Sequence, residues 1–518
     1  MTGDLKLVLL DPTAAVTSNN SPTAGTNPQL VDSGLTAPPS SSGNADDANV
    51  FGGFETGTVN SVTGAVTAIH SVRVAYLKGG KLFTADTVPG HSHVPVQVSS
   101  IANACGFQGG ESVDLADFAN PLNGWLLVGL PGTNGTCYDG DDTYVAVKLS
   151  TAASAGGVAV AGLQGALALH DSSGAIKGFL DGVKNGDGTL TLQHRDVNFA
   201  TPVTLATTAS GTEAKVAEAG LSVIYFAYEP NGQGSYQLFR YDVSAGTLAG
   251  PLYTFVNGKP QGFKNSTANA NNFFFPDGNL LLRIGRNITT AGTATLMTTL
   301  TGGLIIDQLA LTNNLRVVGS ASDNSSNSGL IFSVPNSASN VVATPLQTSG
   351  TSGTTITNAR LQTVDSSGLV YINVTVNGTG GSNASALLIH DDASGASSTA
   401  NAQWAGEVDS PDIANVQITS KTAPVAVLRD VVTNASSGSG THTLTSVTSS
   451  TGVAAGVLGA IDNCQFAESF GIGRYIGILA QVQHTGGPDQ DAYFADAQTA
   501  ASLKAVSTVD GMDVYAGG

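Results

Sequence analysis

Charge is what this 518-residue chain has least of: Asp, Glu, Lys and Arg together make up 11% of it, against roughly 25% in an average soluble protein. Gly, Ser, Thr, Asn and Ala fill the gap, while hydrophobic residues still account for 41%. Global disorder is thereby excluded, because it requires low hydrophobicity together with high charge density. Basic residues are the scarcest, with 20 Lys and Arg against 38 Asp and Glu and a formal net charge of −18. Such a surface repels phosphate backbones, and no Lys/Arg cluster overrides the repulsion. Nucleic acid and anionic membranes are excluded as partners. A protein or glycan at a surface, or a cation, is not.

Long apolar runs are also missing. The longest stretch of low polarity, Ala155 to Leu169, falls short of the ~20 residues a spanning helix needs. It is also interrupted by Gly156, Gly157, Gly162 and Gly165, so no transmembrane segment is expected. The amino terminus lacks a basic region leading into an apolar stretch of leader length. With so little Lys, Glu and Arg, the composition is that of an exported protein, and the expectation is a removed leader with Met1 added. The expected location is the bacterial periplasm, outer surface or extracellular space.

Three cysteines, Cys105, Cys137 and Cys464, form no CxxC, haem or zinc pattern. Cys105 and Cys137 bracket one strand-rich segment and are expected to form a disulfide. Closing a loop of about 32 residues would stabilise by roughly 3–4 kcal/mol in the chain-entropy model. Two separate buried thiols are the alternative. Cys464 is expected to be a small buried hydrophobe.

Helical periodicity is nearly absent. Only Glu213–Ala219 and Gln498–Val506 read as short helices, which excludes parallel α/β folds, since those need a helix between successive strands. What recurs instead is an apolar strand, a Gly/Asn/Asp/Ser turn and a second apolar strand. Examples start at Arg73, with Gly79-Gly80 at the tip, at Val223, and at Asn272, turning through Pro276-Asp277-Gly278. Further starts lie near Trp125, Ala166, Leu315, Leu369, Pro424 and Arg474. These nine pairs are spaced roughly 40–57 residues apart, in the range of solenoid and propeller repeats. Residues 1–50 read as an amino-terminal strand (Leu5–Leu10) followed by a disordered Ser/Thr/Pro-rich linker from about Pro12 to Asn49.

The fold expected for residues 51–518 is an all-β β-propeller of seven or eight blades, eight preferred. Packing blades about an axis buries both faces of each sheet and leaves only short edges. The terminal strands around Leu7 or Val514 are candidates to close the ring. Tandem β-sandwiches are the alternative.

Enzyme motifs are not evident: there is no GxSxG, HExxH, Walker loop or GxGxxG opening a helix. No catalytic residue or required cofactor is assigned. The best local ligand set is Asp139, Asp141 and Asp142, three carboxylates on a Gly-containing turn that could donate oxygens to Ca²⁺. One short loop supplies too few of the six to eight ligands, so a solvated acidic turn is the structural reading. Asp489 and Asp491 form a similar pair, read structurally as a hairpin loop. His170-Asp171 and His390-Asp391-Asp392 each close an apolar strand. They could line a channel as acid/base groups, but a His–Asp pair at a strand end usually satisfies turn backbone. His91-Ser-His93 is a two-imidazole fragment in a loop. Asn185-Gly186-Asp187-Gly188 reads as a tight turn. Tyr225, Tyr228, Tyr236 and Tyr241 alternate as sheet packing demands.

The hairpin Val74–Phe83, followed by Cys105 and then Thr136-Cys137-Tyr138-Asp139-Gly140-Asp141-Asp142, resembles exported bacterial β-propeller-like proteins of the broad TolB/WD40-like kind. The resemblance implies a non-enzymatic envelope or surface protein that binds a protein or glycan through propeller loops. The second expectation is a propeller-fold carbohydrate-active lyase or hydrolase with a site at the channel mouth.

Overall fold

The structure is a computed structural model that describes residues 5–10, 27–35, 50–59, 66–87, 94–97, 101, 103–107, 117, 119–120, 123–131, 135, 143–149, 158–171, 173–218, 222–290, 292, 294–312, 315–323, 329–346, 355–364, 369–377, 383–391, 402–404, 414–418, 426–433, 440–448, 454–470, 475–496 and 499–507. Among these residues there is no α-helix, and none of the described helical structure is long and apolar enough to cross a membrane. Lys215–Glu218 and Lys504–Ser507, parts of the two segments expected to be helical, are strands. Their sheet neighbours supply the hydrogen bonds that a four-residue segment cannot supply for itself as a helix.

The described strands form seven successive four-stranded antiparallel sheets and a final seven-stranded one. The four-stranded sheets span residues 50–97, 106–159, 163–207, 215–254, 267–299, 305–345 and 355–404, called here the first to seventh; the terminal sheet spans 414–507. Each is a meander in chain order, because short turns between consecutive strands allow only neighbour pairing. Lys184 and Leu190, for example, flank a turn in which Asp187 accepts hydrogen bonds from the Thr189 amide at 2.9 Å and hydroxyl at 2.7 Å. This bears out the reading of Asn185–Gly188 as a tight turn.

Each strand alternates its side chains between the two neighbouring sheets, so apolar clusters fill the gaps between consecutive sheets. Trp125 and Leu127 of the second sheet meet Phe179 of the third, whereas Leu126 and Val128 face the first sheet. Leu180 and Leu192 of the third sheet meet Ile224, Phe226 and Tyr241 of the fourth. Tyr225, one residue along, points into the next gap and stacks on Phe273 of the fifth sheet at 4.0 Å. Single sheets of this width are marginal alone, so burial between neighbours supplies most of the stability. Where the sixth and seventh sheets meet, a Cβ on Gly329 would lie 2.3 Å from the Ala359 carbonyl oxygen. Glycine there is what lets the two backbones approach.

The amino terminus departs from the expected linker. Gln29–Leu35 is a strand, paired antiparallel with Leu5–Leu9 as a two-stranded ribbon. Leu7 and Leu35 pack against Val74, Tyr76 and Ala85 of the first sheet. Asp32 accepts hydrogen bonds from the Tyr76 hydroxyl at 2.8 Å and from Lys78 Nζ at 2.7 Å. Leu10, just past the ribbon, packs against Ala492, Phe494 and Val506 of the terminal sheet. One short element thus touches both the first sheet and the last. The partner carboxylate and the apolar residues on Gln29–Leu35 outweigh the Ser/Pro-rich flanks that suggested a linker.

The terminal sheet contains two meanders spliced through one long strand, Ala454–Phe470. Its first part pairs with Gly440–Thr448 and its second with Tyr475–His484, and Cys464 is opposite both Gly440 and Val482. Leu444, Leu458 and Ile461 on one side of this splice pack against Ile476, Ile478 and Ala480 on the other.

Candidate functional site

The terminal meander brings together a carboxylate, an imidazole and a phenol. Its hairpin turns at Thr485-Gly486, which sets His484 opposite Gly487, Ala480 opposite Asp491 and Ile478 opposite Tyr493. Directly paired residues share a face, so Asp491 and Tyr493 stand on the side carrying Ile478, Ala480 and Val482. Asp491 is 1% exposed, and a carboxylate that deep needs polar partners. It has two: His484 Nε2 lies 3.1 Å from Oδ1, and the Tyr493 hydroxyl donates to Oδ2 at 3.2 Å. His484 retains 19% side-chain exposure and so reaches the surface. Burial and the neighbouring Asp491 charge both push the Tyr493 phenol well above its ordinary value, so it stays a proton donor. An ionised Asp491 selects the imidazole tautomer that carries its proton on Nε2 and leaves the Nδ1 lone pair as a base. The hairpin loop expected at Asp489 and Asp491 is not what the structure shows. Both residues instead lie on the strand Gly487–Asp496.

Other polar groups fill the gaps between sheets. In the third sheet, Asp181 Oδ2 pairs with Arg195 Nε at 2.9 Å, and Arg195 also donates to Gln193 at 2.9 Å. Burial raises the Asp181 carboxyl despite that guanidinium, and its Oδ1 has no hydrogen-bond partner. On the opposite face of the same sheet, His194 Nδ1 lies 2.9 Å from the Tyr241 hydroxyl of the fourth sheet. Between the fourth and fifth sheets, the Tyr225 hydroxyl and Arg240 Nε both donate to the Arg286 carbonyl, at 3.0 and 2.9 Å. Burial pushes the Tyr225 phenol up to about 12. Asp181, Arg195, Tyr225 and Arg240 are buried within the seams, whereas His484, like His194, is half-buried.

Asp171 closes its strand by accepting from the Ser173 amide and hydroxyl and the Ala175 amide, at 2.8, 2.6 and 3.2 Å, and by pairing with Lys177 at 3.0 Å. This is the turn-capping role expected of it. His390 lies within the strand Asn383–Asp391, opposite Val370 and Ala402. Tyr225, Tyr236 and Tyr241 are buried as packing demands, and Trp125 is buried too. Cys464 is buried and not in a disulfide, as expected, and Cys105 is buried. Cys137, Asp139, Asp141, Asp142, His91 and His93 lie outside the described residues. Among the described residues, no group of three or more His, Cys, Asp and Glu is arranged to hold a metal ion.

No family model matches the chain, and no curated protein does. Solved structures with a similar strand arrangement exist. A structure of prolyl endopeptidases is 11% identical with a TM-score of 0.35, over 64% of this chain and 48% of that one. The post-proline cleaving enzyme from Rickettsia typhi is 10% identical with a TM-score of 0.35, over 64% of this chain and 51% of that one. The β-propeller domain of the Trilobed protease from Pyrococcus furiosus is 8% identical with a TM-score of 0.32, over 62% of this chain and 88% of that one. The chain spans about half the length of the two prolyl-cleaving enzymes. The strand arrangement is propeller-like. The expectation was a non-enzymatic surface binding protein; the structures that share the arrangement come instead from prolyl peptidases and a protease. At these identities and scores the likeness concerns the arrangement of strands and assigns no activity to this chain.

Proposed function

We propose that the chain is a propeller-type body that carries out hydrolysis, with His484 as general base held by Asp491. One observation carries the reading: a buried carboxylate grips the Nε2 edge of a surface-reaching imidazole while a second donor, Tyr493, occupies its other oxygen. A general base needs a fixed orientation, which the Asp491 contact gives the imidazole. His484 would take a proton from water at Nδ1 as the water attacks an acyl carbon, then return it to the leaving group. Asp491 would stabilise the imidazolium formed between those two events. Asp491 and Tyr493 act through His484 and are positioning residues. The named peptidases supply the first substrates to try, proline-containing peptide amides, followed by simple esters.

The finer architecture belongs to the same proposal. The sheets are blades of one closed ring, with the ribbon at Leu5–Leu9 and Gln29–Leu35 seated between the first blade and the last. Eight sheets in series support eight blades, the terminal sheet contributing a doubled one. Export, and the Cys105–Cys137 disulfide that an oxidising compartment would allow, complete the proposal. Intact mass after alkylation without reduction separates the outcomes for the thiols. One modified cysteine, Cys464, is expected after denaturation, and three would refute the disulfide.

The test of function is the rate of chromogenic prolyl amide and ester hydrolysis for the wild type, His484→Ala and Asp491→Asn. The alanine variant should lose at least 100-fold in rate, in line with the range for general-base catalysis. The asparagine variant should retain the fold and lose activity through the wrong tautomer. Activity equal in wild type and His484→Ala would refute the assignment, as would no hydrolysis of any amide or ester by the wild type.

A further inference from the structure

We infer that the seam between the third and fourth sheets is an acid-sensitive joint, in which protonation of His194 releases the contact with Tyr241. His194 lies on the strand Leu190–Arg195, opposite Leu180 and Val203. Its ring stands against Tyr241 with centroids 5.5 Å apart, beside the apolar cluster of Leu169, Leu180, Leu192, Ile224 and Phe226. Nδ1 faces the Tyr241 hydroxyl at 2.9 Å. Nε2 is wholly shielded and has no hydrogen-bond partner. It lies over Gly178, where a Cβ would stand 2.5 Å from Nε2 and 2.4 Å from the Arg195 carbonyl oxygen. Only a glycine leaves room for the ring in this position.

The neutral ring leaves one lone pair or one uncharged N–H unpaired, a cost the packed seam bears. The imidazolium is different, since it must donate from both nitrogens. A charged N–H at Nε2 would point at a glycine backbone with no acceptor, a far larger penalty than the neutral ring incurs. The surrounding charges offer little relief. Asp196, two residues on, spends its carboxylate on the Asn198 and Ala200 amides and the Thr201 hydroxyl, at 2.9, 3.0 and 2.9 Å. Asp242, beside Tyr241, is paired with Arg240 at 2.9 Å. Tyr241 itself is a neutral phenol that burial keeps protonated. Asp181 and Arg195, which pair through Oδ2 and Nε, lie on the other face of the sheet.

Burial holds the His194 imidazole below its ordinary value, with the Asp196 charge opposing only in part. The sign follows. The open seam, with its ordinary imidazole, binds the proton more tightly than the closed seam does. Closure is therefore complete above the ordinary imidazole range and weakens as pH falls below it toward the depressed folded value. This joint is separate from His484 and stands or falls independently of the proposed hydrolysis.

The experiment is native-state hydrogen exchange on the full chain at about pH 7.5 and about pH 5, corrected for intrinsic exchange rates. Peptides covering residues 190–195 and 237–242 are compared with peptides covering 272–285. Protection of the two seam strands should fall at least tenfold at the lower pH, while the fifth-sheet strands hold theirs. In His194→Gln, which cannot charge, the acid-dependent loss should vanish. Equal loss in wild type and variant, or no loss in wild type, would overturn the inference. If the variant does not fold, the imidazole titration of His194 by NMR in the wild type decides alone. A midpoint below that of an exposed histidine supports the joint, and one at or above it overturns it.

Discussion

Asp277 offers the sharpest perturbation of how one sheet is fastened to the next. It sits at the end of a strand in the fifth sheet, fully buried, yet its carboxylate serves the exit of the fourth. Oδ2 accepts from the Tyr253 hydroxyl and the Val256 amide, each at 2.8 Å, and Oδ1 accepts from the Asn257 amide at 3.0 Å. Hydrogen bonds to a charged acceptor contribute about 1.5–3 kcal/mol each, and removing one partner leaves the other's buried donors unsatisfied. Three such bonds in one side chain are not additive, so Asp277→Ala should cost about 3–5 kcal/mol, as for breaking a buried charge cluster. Asp277→Asn should cost less, because one amide oxygen still accepts while the NH₂ group opposes a backbone N–H. Urea unfolding followed by circular dichroism, with hydrogen exchange on residues 253–257, measures both effects. Loss of protection in that stretch should exceed the loss in the second sheet. A cost below about 1 kcal/mol for the alanine variant would refute the clamp, since a single neutral hydrogen bond accounts for that much.

Two further outcomes follow from the same packing. Gly329→Ala forces a methyl group to within 2.3 Å of the Ala359 carbonyl oxygen; it should destabilise by about 1–3 kcal/mol, the range for overpacking, and a neutral effect in urea unfolding would contradict the close approach of the sixth and seventh sheets. On the acid side, Lys215 and Lys259 pull the Glu213 carboxyl down to about 2, and the bonds from Ser173 and Lys177 outweigh burial to hold Asp171 below the usual carboxylate range. Depressed folded values mean stability that is present above the unfolded carboxylate range and lost as pH falls through the folded values. Midpoints in urea should therefore fall between about pH 4 and pH 2 in the wild type, and less steeply in a Glu213→Gln, Asp171→Asn double variant; parallel curves would refute the assignment.

Much of the architecture was legible in the residues. Turn chemistry such as Gly79-Gly80 and Asn185–Gly188, set between apolar runs, located the strand pairs. The nine expected pairs correspond to the seven four-stranded sheets and the two meanders spliced by Ala454–Phe470. The splice itself was hidden, because a strand that changes partners midway keeps its two-residue alternation throughout. The ribbon strand Gln29–Leu35 was hidden for another reason: its stability comes from Tyr76, Lys78 and Val74, far along the chain. Asp491 drew notice as an acidic residue near a turn, but His484 did not. The signal was there, since a two-residue turn at Thr485-Gly486 fixes the register that puts Asp491 on the His484 side. The His194–Tyr241 contact has no local signal, because it joins two sheets 47 positions apart.

The ribbon joins the first sheet to the last, and a double-mutant cycle measures that contact directly. Leu10→Ala and Phe494→Ala, alone and combined, are compared by urea unfolding. If the ribbon is seated against the terminal sheet, the two costs should be coupled by about 0.5 kcal/mol or more, as expected for side chains in contact. Costs that add to within about 0.3 kcal/mol would mean that Leu10 and Phe494 do not touch, and that the series of sheets has open ends.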